Sequence, residues 1–216
     1  VRNVSEFNLT KKYIEETCSY EPDFFNQIRD SIIAAGINEM SIDADSAQFL
    51  RVLLKTTGAK NVLELGTLGG YSAILFASII PATGHVTTID NDVRYQPLSQ
   101  GNAEKTGYKD KITFICNDGL KAMEQLASEG ATFDFFFIDA AKNSYINYYE
   151  WAFSMAKPGA MIVADNTLWK GEVPDPDKTS NPIRAMRRFN EYVSQDERVD
   201  VIITTTGDGM TLARVK

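Results

Sequence analysis

Oxygen-bearing side chains close two apolar stretches in the second half of the sequence. The first stretch, Phe133–Asp139, ends in Asp139, and the second ends in Asp165 and Asn166. If both stretches are neighbouring parallel strands, these side chains meet at the carboxyl edge of one sheet, where ligands bind. Two carboxylates and an amide, without thiolate or imidazole, suit a hard cation: Mg²⁺, with Ca²⁺ or Mn²⁺ as alternatives. The competing interpretation is that they only cap the loops after two core strands.

Lys142 follows the first of these carboxylates by three positions. A lysine beside a metal cation, in a partly dry pocket, loses its proton more easily than a solvated one. It can then act as general base on a hydroxyl group that the metal has polarised. A solvated loop lysine is the alternative that this spacing leaves open.

A glycine-rich turn, Gly66–Gly70, stands between a predicted strand at Asn61–Leu65 and a predicted helix at Tyr71–Ile80. Glycine lets the backbone approach a ligand, and the helix start offers N–H donors to a carboxylate. The turn fits neither the dinucleotide fingerprint nor the P-loop. Asp90 ends the next predicted strand, where a carboxylate can accept both hydroxyls of a ribose. This combination is typical of methyltransferases that use S-adenosylmethionine, and a tight turn without ligand is the alternative.

Alternating apolar strands and helices predict an α/β fold with a parallel sheet covered on both faces. Strands are predicted at 61–65, 85–90, 111–116, 133–139 and 159–165, with helices at about 71–80, 92–106, 119–129 and 145–156 between them. A polar loop at 167–182, a helix at 183–194 and a hairpin of strands at 199–206 and 210–216 follow. A mostly parallel sheet of seven strands that ends in an antiparallel hairpin is the Rossmann-like class I methyltransferase fold.

Three predicted helices, Asn8–Cys18, Asp23–Ala35 and Ala47–Thr57, precede the first strand. Residues 1–216 are predicted to form one domain, in which residues 1–58 make a cap over the pocket, a dimer surface, or both. Asp43 or Asp45 is predicted to cap the third helix.

The composition of the chain argues against several classes of function. The 216 residues carry a net charge of −7, which argues against a general nucleic-acid surface. The single histidine argues against a histidine-based zinc site and a Ser-His-Asp triad. With two cysteines far apart and no apolar run of the ~18 residues that span a membrane, a reduced cytoplasmic location is predicted.

The sequence resembles the cation-dependent O-methyltransferases of the caffeoyl-CoA and catechol type, from about residue 7 to the end. Five segments carry the resemblance: MSIDAD at 40–45, LELGTLGGYS at 63–72, TID at 88–90, FIDAAK at 137–142 and DNTLW at 165–169. The carboxylate and amide set together with the glycine-rich turn is far more specific than either alone.

This resemblance implies a role for each matching residue. The implied S-adenosylmethionine site comprises the Ile42 backbone, Glu64, Gly66, Thr67, Ser72, Asp90, Asp118 and Asp139. Glu64, Gly66 and Ser72 would line the methionine end, Asp90 would hold the ribose, and Asp118 would lie near the adenine. The implied cation ligands are Asp139, Asp165 and Asn166, and the implied base is Lys142. Met40 and Trp169 would contact the acceptor, and a homodimer is implied.

The sequence departs from the family pattern at one position. The family often has Asp-Ala-Asp-Lys where this chain has Asp139-Ala140-Ala141-Lys142. The missing carboxylate is not one of the implied metal ligands, so the implied metal site is unaffected. We expect an effect on the orientation of Lys142 and on its surroundings. The long N-terminal arm with which plant members recognise a CoA tail is not evident, which argues against a CoA ester as acceptor.

The predicted function is transfer of the S-adenosylmethionine methyl group to one hydroxyl of a small catechol-type diphenol, dependent on a divalent cation. A phenolic small molecule is the predicted partner, without nucleic acid or membrane. Three alternatives stay open: a tRNA or protein methyltransferase of the same fold, a nucleotide-binding dehydrogenase, and a non-catalytic nucleoside-binding protein.

Overall fold

The computed structural model describes residues 4–18 and 21–216 of the chain. Three helices come first: α1 Val4–Cys18, α2 Asp23–Ala34 and α3 Ala44–Thr57. The elements that follow are β1 Asn61–Leu65, α4 Tyr71–Ile79, β2 His85–Asp90, α5 Tyr95–Lys105, β3 Ile112–Cys116, α6 Gly119–Ser128, β4 Phe133–Ile138, α7 Tyr145–Met155, β5 Ala156–Ala164, α8 Asn181–Ser194, β6 Val199–Thr204 and β7 Met210–Val215. Short 3₁₀ helices lie at Lys109–Lys111 and Lys142–Ser144.

Within the described residues, seven strands form one sheet in the order β3-β2-β1-β4-β5-β7-β6. The first five strands are parallel, and β7 pairs antiparallel with both β5 and β6. The predicted fold class is therefore confirmed. Strand order reverses at β1, because the chain builds outward to β3 and then crosses back to place β4 on the other side of β1. Ligands of open α/β sheets bind at such a switch point.

Side chains of the central strands alternate between two cores. Val62 and Phe135 belong to the core formed with α2, α3 and α4, whereas Leu63 and Phe136 belong to the core formed with α6, α7 and α8. All four side chains are buried. A strand that is buried on both faces has a nearly continuous apolar sequence, and FDFFFI, the sequence of the central strand β4, is of this kind. Burying a side chain such as Phe136 contributes about 1.5–3 kcal/mol.

Several element boundaries differ from those predicted, for local reasons. Helix α5 begins at Tyr95 instead of residue 92, which places Pro97 in the first turn, where no backbone N–H is needed. Helix α3 begins at Ala44, three residues early, and Asp43 is its N-cap residue without a side-chain capping bond. Strand β5 begins at Ala156, and its pairing with β4 is irregular at the start, where proline is tolerated.

The predicted loop at 167–182 is a run of turns with anchored ends. Thr167 N donates to Gly209 O over 2.9 Å, which joins the start of the loop to the turn between β6 and β7. Arg187 of α8 donates from Nε to Val173 O over 2.7 Å. These bonds bring the loop over the carboxyl edge of the sheet. None of the described helices is long and apolar enough to cross a membrane.

Candidate active site

A cavity of about 820 Å³ opens at the carboxyl ends of the parallel strands. Ten of the residues predicted for the site line it: Met40, Ile42, Gly66, Asp90, Asp118, Asp139, Lys142, Asp165, Asn166 and Trp169. Three predicted residues, Glu64, Thr67 and Ser72, lie beside the glycine-rich turn but are not among the lining residues. The structure therefore brings segments that are distant in sequence to one space, with a layer of polar groups behind its wall.

The backbone of the glycine-rich turn is fixed by the carboxylate of Asp90. Asp90 Oδ2 accepts hydrogen bonds from Thr67 N at 2.9 Å and from Leu68 N at 3.1 Å. Gly66 has a φ of +103°, and a Cβ there would lie 2.0 Å from Asp139 O. Only glycine allows this approach of β1 to the end of β4. Asp90 Oδ1 accepts one bond, from Asp92 N at 3.0 Å, so a lone pair of this oxygen is left for a hydroxyl donor of a ligand.

Glu64 is a fully buried carboxyl group next to this turn. The Thr88 hydroxyl donates to Glu64 Oε2 over 2.6 Å, and the Thr67 and Thr88 hydroxyl oxygens are 2.6 Å apart. Glu64 Oε1 has no hydrogen-bond partner among the residues that the structure describes. Burial raises the pKa of Glu64 to about 8, against the opposing effect of the Ser72 and Thr88 hydroxyls. A buried acceptor without a partner is costly unless a ligand supplies a donor.

Lys142 is held by two neighbours at the other end of the cavity. Its Nζ donates to Asp139 Oδ1 over 2.8 Å and to Tyr145 Oη over 2.6 Å. The Tyr145 hydroxyl lies 3.2 Å from Ile138 O and 3.1 Å from Asp165 O, so it can donate onward to a carbonyl. Burial and the Asp139 charge raise the pKa of Tyr145, which keeps it a neutral phenol. The orientation of Lys142 thus depends on Asp139 and Tyr145, while Ala141 lines the cavity beside it.

Asp165 is a second carboxylate at this end, and it is buried at 4% exposure. Its Oδ1 accepts a hydrogen bond from Asn166 N over 2.7 Å. Burial, and next the charge of Asp139, raise the pKa of Asp165 well above its usual range. Asn166 has a φ of +58°, a left-handed conformation that asparagine adopts more readily than most residues. The wall therefore holds two carboxylates close enough to repel each other.

The cavity is also lined by Met40, Trp169 and Asp118. Met40 is 61% exposed and lies in the segment 39–42 that lines one side. Trp169 is half-buried and has a φ of +46°. Asp118 is the N-cap residue of α6, where its side chain accepts a bond from Lys121 N. The acceptor and adenine contacts implied for these residues stay predictions.

Sequence reasoning missed Thr88 and Tyr145. Thr88 faces Glu64 directly in the register of β1 and β2, and two polar residues within otherwise apolar strands were the available signal. Tyr145 has no comparable signal, because an aromatic residue at the start of a helix is ordinarily a core residue. Its bond to Lys142 depends on the 3₁₀ turn at Lys142–Ser144, which precedes α7.

The fold and cavity define a class I methyltransferase, and comparison with known proteins specifies the family. The O-methyltransferase family model matches residues 15–216. The catechol O-methyltransferase of Niastella koreensis is 35% identical over 97% of this chain and 98% of its own length. Caffeoyl-CoA O-methyltransferase 2 of Populus trichocarpa is 34% identical over 94% of this chain and 87% of its own.

Solved structures agree with this result. The O-methyltransferase from Bacillus cereus, in complex with S-adenosylhomocysteine (SAH), superposes with a TM-score of 0.88 at 29% identity, over 96% of this chain and 97% of that one. TomG from Streptomyces achromogenes, involved in tomaymycin synthesis and in complex with S-adenosylmethionine (SAM), superposes with a TM-score of 0.87 at 26% identity, over 100% of both chains. This chain belongs to the O-methyltransferase family. The predicted class of enzyme, an S-adenosylmethionine-dependent O-methyltransferase, is thereby confirmed.

Proposed function

We propose that this chain transfers a methyl group from S-adenosylmethionine to one hydroxyl of a vicinal diphenol, with a divalent cation at the acceptor end of the cavity. The observation that carries the proposal is the asymmetry of the cavity. The glycine-rich turn and Asp90 line one part of the cavity, and Asp165, Asn166 and Lys142 line another. Asp139 lies where the two parts meet, beside Gly66 and bonded to Lys142. A nucleoside site and a site for a chelated acceptor therefore share one space.

The first end suits the methyl donor. S-Adenosylmethionine, when bound, supplies an electrophilic methyl group on a sulfonium. Asp90 is oriented by the turn and can accept ribose hydroxyls, while Asp118 at the start of α6 can contact the adenine. The partnerless Oε1 of Glu64 supports a role for Glu64 and Ser72 toward the amino group of the methionine part.

The residues at the second end fit a hard cation. The described residues contain no group of three or more His, Cys, Asp and Glu that could hold a metal ion, but the proposed set has two carboxylates and one amide. Burial and the nearby Asp139 raise the pKa of Asp165, so positive charge at this wall would stabilise both carboxylates. A bound Mg²⁺, Ca²⁺ or Mn²⁺ would supply a Lewis acid that lowers the pKa of a chelated hydroxyl.

Lys142 is the proposed general base. It accepts the hydroxyl proton, the new bond forms between the hydroxyl oxygen and the methyl carbon, and the bond between that carbon and sulfur breaks. Asp139 and Tyr145 hold Nζ at the cavity wall, which fixes the direction from which the proton is taken. Trp169 and Met40 line the same cavity and would contact a flat aromatic acceptor. Positioning of this kind supplies a large part of methyl-transfer catalysis.

The names of the relatives are consistent with this acceptor class. Those relatives are described as acting on catechol and on caffeoyl-CoA, both of which contain a vicinal diphenol. A homodimer and a cytoplasmic location belong to the same proposal and stay predictions.

The test is methyl transfer from S-adenosylmethionine to matched diphenols and monophenols, with Mg²⁺ and with EDTA. We expect methylation of diphenols only, and its loss in EDTA. Undiminished transfer in EDTA, or equal transfer to monophenols, would contradict the cation-chelate proposal. Asp139→Ala should lose both cation binding and activity, and retained metal-dependent activity in that variant would contradict the ligand set.

A further inference from the structure

Arg29, on α2, lies outside every sequence motif but joins three parts of the structure. Arg29 Nη2 donates to Ile42 O over 2.7 Å, and Nη1 lies 3.3 Å from Glu39 Oε1. Nη2 also lies 3.2 Å from Glu21 Oε1. The guanidinium carbon lies 4.5 Å from the centre of the Tyr71 ring. The side chain is only 20% exposed, so these contacts are formed with little competition from water.

The contacts of Arg29 converge on two backbone segments: the rim segment 39–42, which lines the cavity, and the start of α4, directly after the glycine-rich turn. Glu39 and Ile42 belong to the rim segment 39–42, and Glu39 Oε1 also accepts a bond from Ser41 N over 2.9 Å. Tyr71 is the first residue of α4, directly after the glycine-rich turn, and its hydroxyl donates to Glu21 Oε1. One cation therefore ties the rim segment to the first turn of α4.

We propose that Arg29 is a positioning residue for the methyl donor: it holds the Ile42 peptide and the rim segment 39–42 against the start of α4. This inference rests on the proposed function. Ile42 is 7% exposed and lines the cavity, and its carbonyl is already occupied on one lone pair by Arg29. The peptide is thereby fixed before a ligand arrives. The N-terminal helices thus contribute to the site through α2, and are more than a cover.

The planar guanidinium is required for this role. Its separate N–H groups reach the Ile42 carbonyl and the Glu39 carboxylate at the same time, while its face lies over Tyr71. A lysine ammonium is a compact charge that cannot span these partners. Loss of Arg29 frees the rim segment and leaves the Glu21 and Glu39 carboxylates partly buried without their cation.

The experiment compares Arg29→Met with Arg198→Met. Arg198 is a matched control, because it also binds two carboxylates, Glu150 and Asp196, and lies over an aromatic ring, 4.0 Å from the centre of Phe153. It is not among the residues that line the cavity. Both variants remove an arginine network, but only one network contacts the rim.

Calorimetric titration with S-adenosylmethionine and S-adenosylhomocysteine measures the effect without any acceptor. We expect Arg29→Met to raise both dissociation constants at least about tenfold. Arg29→Lys should restore part of the affinity. Arg198→Met should leave both dissociation constants unchanged.

Wild-type affinity in Arg29→Met, or an equal loss of affinity in Arg198→Met, overturns the proposal. Glu39→Gln, which weakens one arm of the network, carries the same test if Arg29→Met does not fold, with an expected loss of about threefold. Failure of the wild-type protein to bind the donor would instead contradict the proposed function, so the two failures are distinguishable.

Discussion

At the scale of single residues, the cavity depends on carboxyl groups whose surroundings differ. Asp90 accepts backbone N–H bonds, Asp139 pairs with Lys142, and Glu64 is buried with one oxygen unpartnered. Identical chemistry at the side-chain tip therefore serves three purposes. The contrast is sharpest for Glu64, where the apo protein holds a site that a ligand would complete.

We predict that Glu64→Gln stabilises the apo protein at pH 8 and weakens donor binding. The pKa of Glu64 is raised from 4.5 to about 8 in the folded state, so the folded state binds more protons than the unfolded state between these values. The contribution of Glu64 to the free energy of unfolding therefore falls as the pH rises from about 4.5 to 8. Glutamine has no proton to lose and escapes this fall.

Urea unfolding of both proteins at pH 6 and pH 8 measures the difference, which should be larger at pH 8. The dissociation constant for S-adenosylmethionine should rise at least about tenfold in the variant. A stability difference that is independent of pH would contradict the buried, protonated Glu64.

At the scale of elements, the site depends on the close approach of β1 to β4. The turn after β1 crosses the end of β4 with Gly66 next to Asp139 O, while Asp139 N donates to Leu65 O over 2.8 Å. This contact places the donor-binding turn and a proposed cation ligand side by side. The loop that carries Trp169 is a separate unit, fixed by Arg187 and by the turn between β6 and β7.

Gly66→Ala should destabilise the fold and abolish donor binding. The new Cβ would lie 2.0 Å from a backbone oxygen, in a conformation that L-residues rarely adopt, and such strain costs about 1–3 kcal/mol or more. Gly101→Ala is the matched control, because Gly101 lies inside α5 and a Cβ there meets nothing within 4 Å. This control should stabilise by about 0.5–1 kcal/mol. Thermal melts with and without S-adenosylhomocysteine compare the pair, and ligand-induced stabilisation in Gly66→Ala would refute the argument.

At the scale of the whole molecule, one sheet lies between two apolar cores, and the acidic side chains at its strand ends gather at a single edge. The acidic groups of that edge come from β2, β4, β5 and the turn between β6 and β7, where Asp208 also lines the cavity. Burial raises the pKa of Asp165 most, and the charges of Asp139 and, less strongly, Asp208 raise it further. The assembled fold therefore accumulates negative charge that no single segment contains.

We predict that Mg²⁺ raises the melting temperature of the donor-free protein and that EDTA reverses the change. A ligand that binds only the folded state at about 100 times its dissociation constant stabilises by about 2.7 kcal/mol. The Asp139→Ala variant should show no such increase, whereas Asp200→Ala, an exposed carboxylate on β6, should respond as wild type does. An equal response in Asp139→Ala would argue against this cation site.

The sequence alone determined the class of fold, the family resemblance and the residues proposed for the cavity. Short apolar strands, the turn at Gly66–Gly70 and polar residues at strand ends are local signals, and parallel strands necessarily bring their carboxyl ends to one edge. Helix and strand boundaries followed to within four residues, and the largest differences are the starts of α1, α3, α5 and β5. The difference at α5 arises because Pro97 fits a first turn, and the one at β5 lies where the pairing of the strand is irregular.

Only the tertiary structure decided how these groups act on one another. The hydrogen bond between Glu64 and Thr88 depends on the register of β1 and β2. The hydrogen bond between Lys142 and Tyr145 depends on how α7 packs. The hydrogen bond from Arg29 to Ile42 O depends on how α2 packs against the rim segment. Burial and through-space charge set the raised pKa values of Glu64 and Tyr145, and neither quantity can be read from neighbours in the chain. Periodicity is a local property of a sequence, whereas desolvation and contact depend on which distant segments share a space.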